Sequence, residues 1–76
     1  MRSKETVTLA LGQRIKEVRK SKGISQLQLA HLVHKDQQSI QRLESGKVNP
    51  SIYYLLEISD GLEVSIIDLF IDFVSP

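Results

Sequence analysis

Four side chains with long, forked, hydrogen-bonding ends fall close together: Gln37, Gln38, Gln41 and Arg42. A glutamine amide offers a donor and an acceptor in one plane, which matches N6 and N7 of adenine. A guanidinium fork matches O6 and N7 of guanine in the same way. On a helix, the spacing i, i+1, i+4, i+5 gathers all four on one outward side, and Ile40 and Leu43 turn to the other. Enzyme chemistry finds no comparable grouping. The chain has no glycine-rich phosphate loop, no nucleophile with an identifiable base and no paired-carboxylate pocket, so no catalytic residue and no cofactor is expected. His31 and His34 lack the further ligands of a metal site, and none is expected.

These side chains need a scaffold, and the punctuation of the sequence supplies one. Leu11, Ile15 and Val18 recur at helical spacing among charged neighbours, giving a first amphipathic helix that ends at Ser21-Lys22-Gly23. The stretch Thr6–Leu11 alternates (Val7, Leu9, Leu11) but is too short and isolated to build a sheet, and residues 1–10 read as an N-terminal extension. Ser25 caps a second helix from Gln26 to about Val33, with Leu29, Ala30 and Val33 inward. Asp36 caps a third, Gln37 to about Ser45, stopped by Gly46. Ser51 caps a fourth through Ile58, weakened by Gly61, and Ser65 caps a fifth from Ile66 to about Val74. Five helices of roughly 8 to 12 residues with short connections predict a compact all-α five-helix bundle.

The 76 residues make a single small domain, and with no cysteine it has neither disulfide staples nor thiolate zinc sites. No apolar run is long enough to span a membrane and no signal-peptide pattern opens the chain, so a cytoplasmic setting is expected. The formal net charge of +1 conceals a strong asymmetry. Residues 13–47 hold eight basic side chains against three acidic, a balance of +5. Residues 48–76 hold five acidic side chains and no basic one. A basic half that suits a polyanion is joined to an acidic half that does not.

Helices two and three, joined by the short turn at His34-Lys35, form the helix-turn-helix pattern, with small Ala30 where the two must cross. Together with Leu11-Gly12-x-x-Ile15-x-x-x-Arg19, Ser25-Gln26-x-x-Leu29-Ala30, Ser39-Ile40-x-x-Leu43-Glu44-x-Gly46, Asn49-Pro50-Ser51 and Leu55-x-x-Ile58, the chain resembles the Cro/cI-type (XRE-type) helix-turn-helix family, which includes the lambdoid phage repressors. The resemblance runs over residues 11–69 and implies a lambda-repressor-like DNA-binding domain whose third helix enters the major groove of double-stranded DNA. By that likeness Gln37 and Gln38 reach base edges, with Gln41 and Arg42 next. Gln26, Ser39, Lys47, Asn49 and Lys16 meet phosphates, and a helix start favours the contact at Gln26. The resemblance also implies a structural ion pair between Arg19 and Glu44. His34 departs from the family, standing where glycine is usual.

The last predicted helix is apolar on nearly two faces. Ile67, Phe70, Ile71, Phe73 and Val74 accompany Ile66 and Leu69, and only Asp68 and Asp72 mark a polar stripe. This suggests a homodimer interface over residues 65–74, although the Val7-Thr8-Leu9 segment is an alternative cover. A two-fold protein suits palindromic half-sites. The expectation is a transcriptional regulator, a repressor acting by promoter occlusion. The residues leave open a protein-interaction module, such as the antitoxin of a toxin–antitoxin pair, with Leu27 and Leu32 as a partner patch.

Overall fold

In the computed structural model, which describes residues 2–73, the chain folds into five α-helices: α1 (Lys4–Ser21), α2 (Gln26–Leu32), α3 (Gln37–Glu44), α4 (Ile52–Leu62) and α5 (Ile66–Leu69). A short 3-10 turn, Ile71–Phe73, follows α5. No strand occurs among the described residues.

The first helix begins earlier than the sequence reading placed it. The Ser3 hydroxyl accepts the Thr6 amide, and Glu5 lies in the positive first turn. From there Thr8, Leu11, Gly12, Ile15, Val18 and Arg19 are buried at helical spacing. The alternation of Val7, Leu9 and Leu11 carries no strand, because Leu9 lies 56% exposed on the outer side of a helix. Residues 4–10 therefore belong to α1 and are not a separate extension.

Each later helix opens on the cap its sequence supplies. Ser25, Asp36, Ser51 and Ser65 accept amides two or three residues on, and Ser25–Gln28 and Ser65–Asp68 close reciprocal capping boxes. Four helix ends are closed by a residue in the left-handed region. At two of them, Gly23 and Gly46, the residue is glycine; at the others, His34 and Glu63, φ is +58°. After α2 the His34 amide bonds the His31 carbonyl and the Lys35 amide bonds Ala30, the double closure of a Schellman motif.

The last helix is shorter than expected. One regular turn gives way to the i→i+3 bonds Phe70–Ile67 and Phe73–Phe70, a tighter winding. The β-branched and aromatic residues here hold a helix poorly, and a single fully buried side chain, Leu69, anchors it. Val74 lies outside the described residues.

The core is one cluster. Ile15 of α1, Leu29 and Ala30 of α2, Ile40 of α3, Ile58 of α4 and Leu69 of α5 are fully buried within it. Two glycines set how closely the helices approach. A Cβ on Gly12 would stand 2.5 Å from the Leu43 carbonyl oxygen and 2.6 Å from that of Glu44, so α1 rests on the end of α3 backbone to backbone. A Cβ on Gly61 would stand 2.5 Å from Cγ1 of Val33, so the glycine that weakens α4 also lets it approach the end of α2. Nε of Arg14 donates to the Asp68 carbonyl at 2.7 Å, fastening α1 to α5.

Candidate nucleic-acid interface

The helix that carries the forked side chains is held from beneath. Ile40 and Leu43 are buried, whereas Gln37, Gln38, Gln41 and Arg42 are all exposed, so α3 lays its polar row outward on an apolar keel. The Asp36 carboxylate accepts the Ser39 amide at 2.7 Å and fixes the start of the helix. These hydrogen bonds to Ser39 hold the Asp36 carboxyl below its ordinary range, because they favour the ionised form.

The far end of α3 is fixed by charge. Nε and Nη2 of Arg19 donate to the two carboxylate oxygens of Glu44 at 2.6 and 3.0 Å, with both side chains almost wholly buried. The third nitrogen, Nη1, donates to the Ile24 carbonyl at 2.8 Å. A two-point guanidinium–carboxylate pair fixes orientation as well as distance. With the Gly12 contact beside it, α1 holds the end of α3 by backbone packing and by a buried ion pair.

Gln26 joins the same network. Its Nε2 donates to Oε1 of Glu44 at 3.1 Å, so one of its amide hydrogens is already engaged. Ser39 is half-buried on α3, and Lys47 and Asn49 are exposed in the loop that follows it. These residues converge around one helix. Lys16 is half-buried on α1, outside the α2–α3 unit.

Some interface features were not foreseen from the sequence. Gly12 and Gly61 shape the helix crossings, and only their helical position among larger residues hinted at it. Tyr54 is half-buried, with the Lys35 ammonium 5.3 Å from its ring centre, while Tyr53 beside it is 72% exposed. Lys35 also pairs with Glu57 at 3.5 Å. A cavity of about 510 Å³ lies between the end of α2 and α4, but Glu57, Asp60 and Glu63 line it, the wrong charge for phosphate.

The helix-turn-helix family model matches residues 15–69. The chain belongs to the Cro/cI-type helix-turn-helix family. This is a family of DNA-binding transcription regulators and not an enzyme class. Among solved structures, the chain is similar to the restriction-modification controller protein C.AhdI from Aeromonas hydrophila, at 33% identity over 84% of this chain and 97% of that one, with a TM-score of 0.82. It is also similar to the clp gene regulator ClgR from C. glutamicum, at 26% identity over 87% of this chain and 85% of that one, TM-score 0.84. A third likeness is to an HTH_3 family transcriptional regulator from Vibrio cholerae, at 27% identity over 93% of this chain and 40% of that one, TM-score 0.87. No curated protein matches the sequence. No helix among the described residues is long and apolar enough to cross a membrane.

The C-terminal surface divides in two. Phe70 and Phe73 pack partly against the core, with ring centres 6.0 Å apart, and the Arg2 guanidinium stands 5.5 Å from the Phe73 ring centre. Arg2, just ahead of α1, therefore covers part of the apolar surface. Ile67 and Ile71 stay open, at 66% and 47% exposed.

Proposed function

We propose that the protein is a homodimeric transcriptional repressor that places α3 in the major groove of a palindromic operator and blocks a promoter by occupying it, acting in the cytoplasm. Gln37, Gln38, Gln41 and Arg42 read base edges, and Gln26, Ser39, Lys47, Asn49 and Lys16 hold the phosphate backbone. One observation carries the reading: α3 exposes four fork-ended side chains on a helix whose other side is buried and whose two ends are both fixed. Rigid presentation is what base readout requires, because a misplaced fork loses its bidentate geometry. The basic balance of residues 13–47 supplies the field that attracts the polyanion. The controller and gene-regulator roles of the similar structures agree in kind. Ile67 and Ile71 supply the open apolar surface for the second copy, on the acidic half of the chain.

Selection of bound duplexes from a random pool yields the operator. Replacing Gln37 and Gln38 by Ala is then expected to abolish preference for it while weak, salt-sensitive binding remains. Preference surviving that change would overturn the assignment of α3. Exposed Leu27 and Leu32 on α2 favour the second reading, a protein-interaction module such as an antitoxin. That reading takes over if no duplex is bound in a salt-dependent way.

A further inference from the structure

Glu44 makes one hydrogen bond more than its ion pair requires. Its Oε2 takes Nε of Arg19 at 2.6 Å, while its Oε1 takes both Nη2 of Arg19 at 3.0 Å and Nε2 of Gln26 at 3.1 Å. The two bonds from the guanidinium already compensate the charge and fix the angle. The third reaches a half-buried residue in the first turn of α2, 18 positions back in the chain.

That bond decides which way the Gln26 amide is turned. An ionised carboxylate has no hydrogen to give, so the glutamine must present its nitrogen to Glu44 and keep its oxygen away. One hydrogen of Nε2 is engaged there, and the other is free. A long side chain ordinarily gives up rotamer freedom when a ligand orders it; here the fold orders it beforehand.

The charge balance matters as well. A phosphate oxygen only accepts, so the free hydrogen on Nε2 is what this side chain can offer it. The phosphate would then stand one nitrogen away from a carboxylate, and two bare anions so close repel. Arg19, bonded to both oxygens of Glu44, compensates the carboxylate and leaves Gln26 able to bridge.

We propose that Glu44 is a positioning residue for DNA binding: through Oε1 it holds the Gln26 amide with its free hydrogen ready for a phosphate oxygen. The inference rests on Gln26 meeting the DNA backbone. Glu44 ends α3, the helix with the glutamine row, so one carboxylate sets the backbone grip in register with the bases being read. The buried pair thereby acts in binding as well as in stability.

The test measures what Gln26 contributes with and without Glu44. Gln26→Met is made in the wild type and in the Arg19→Met, Glu44→Leu background, and binding is measured on the selected operator and on a duplex of unrelated sequence. In the wild type the change is expected to weaken binding to both duplexes about tenfold, the scale of a hydrogen bond to a charged acceptor. In the double-variant background that loss is expected to shrink to about twofold. Lys47→Ala, at a backbone contact outside the network, is expected to cost the same factor in both backgrounds.

An undiminished Gln26 factor overturns the positioning role and leaves Gln26 a contact. A Lys47 factor that shrinks in step also overturns it, because the pair would then support the whole interface. No loss from Gln26→Met in the wild type overturns it by removing the phosphate contact, while the reading of α3 stands. NMR relaxation of the free wild-type chain tests the proposal without any variant. The Gln26 side-chain amide is expected to be rigid before DNA is added, and an order parameter below about 0.6 overturns the proposal. If the wild type binds neither duplex in a salt-dependent way, the repressor reading itself fails, and this proposal with it.

Discussion

Arg19 of α1 and Glu44 of α3, 25 residues apart in the chain, meet at two points inside the molecule, at 2.6 and 3.0 Å. Removing either partner leaves a charge buried without compensation. Glu44→Ala is expected to destabilise the fold by about 3–5 kcal/mol, read as a lower urea midpoint. The double variant Arg19→Met, Glu44→Leu buries no stranded charge and is expected to lose less than either single change. Additive losses would show that the two do not act as a pair.

Gly12 makes a sharper steric claim. Alanine in a helix interior normally gains up to about 1 kcal/mol over glycine. At this position the added carbon would meet the Leu43 and Glu44 carbonyls at 2.5 and 2.6 Å, and backbone yields little. Gly12→Ala is therefore expected to lose about 1–3 kcal/mol in spite of its better helix propensity. A neutral or stabilising outcome in thermal unfolding would mean that α1 and α3 sit further apart.

His34 closes α2 in the left-handed region, where a side chain costs about 1–2 kcal/mol. Glycine removes that strain but gives the unfolded chain more freedom, so His34→Gly is expected to gain about 1 kcal/mol at most. The measurement is the unfolding midpoint, with operator affinity unchanged. A loss of stability would assign the imidazole a packing role that its exposure does not suggest.

The cap on α3 makes stability depend on acid. The Asp36 carboxyl is held below its ordinary value of 3.8 by its hydrogen bonds to Ser39. A depressed carboxyl stabilises the fold above its unfolded pKa, and the contribution is lost as pH falls through the folded value. Asp36→Asn keeps a capping oxygen without the titration. Denaturant midpoints of wild type and variant are expected to converge as pH drops below about 4. A constant gap down to pH 2 would remove Asp36 from the acid response.

Dimerisation has a clean test at Ile67 and Ile71. Charges at Phe70 or Phe73 would disturb packing against the core, whereas these two isoleucines are open. Ile67→Asp with Ile71→Asp is expected to give a monomer by sedimentation, with unchanged helicity and weaker operator binding. An unchanged dimer mass would place the interface elsewhere.

The middle of the chain was the most legible, because each helix there carries its own signals. Ser25, Asp36 and Ser51 cap where their side chains alone indicate, and Leu29, Ile40 and Leu43 repeat at helical spacing over a well-buried core. The ends were less so. Local alternation at Val7, Leu9 and Leu11 imitated a strand, while the true signal was the Ser3 cap with Glu5 behind it. At the other end a largely apolar stretch from Ile66, broken only by Asp68 and Asp72, suggested one long helix, because composition does not show where bonding tightens to i→i+3. The glycine contacts at 12 and 61 depend on which helix lies opposite, and no local pattern encodes that. The polar row of α3, its Asp36 cap and, through the resemblance, the Arg19–Glu44 pair were readable, but the backbone contact at Gly12 that completes the hold on its far end was not.

The bond from Arg14 to the Asp68 carbonyl acts as a gauge. It ties the segment proposed to join two copies directly to α1, and α1 in turn grips α3, so no flexible tether separates pairing from reading. The distance between the two recognition helices of a dimer then follows from side-chain geometry, and so does the number of base pairs between half-sites. An operator lengthened by a single base pair turns one half-site by about 34° about the duplex axis, and a dimer joined through this segment is expected to follow it poorly.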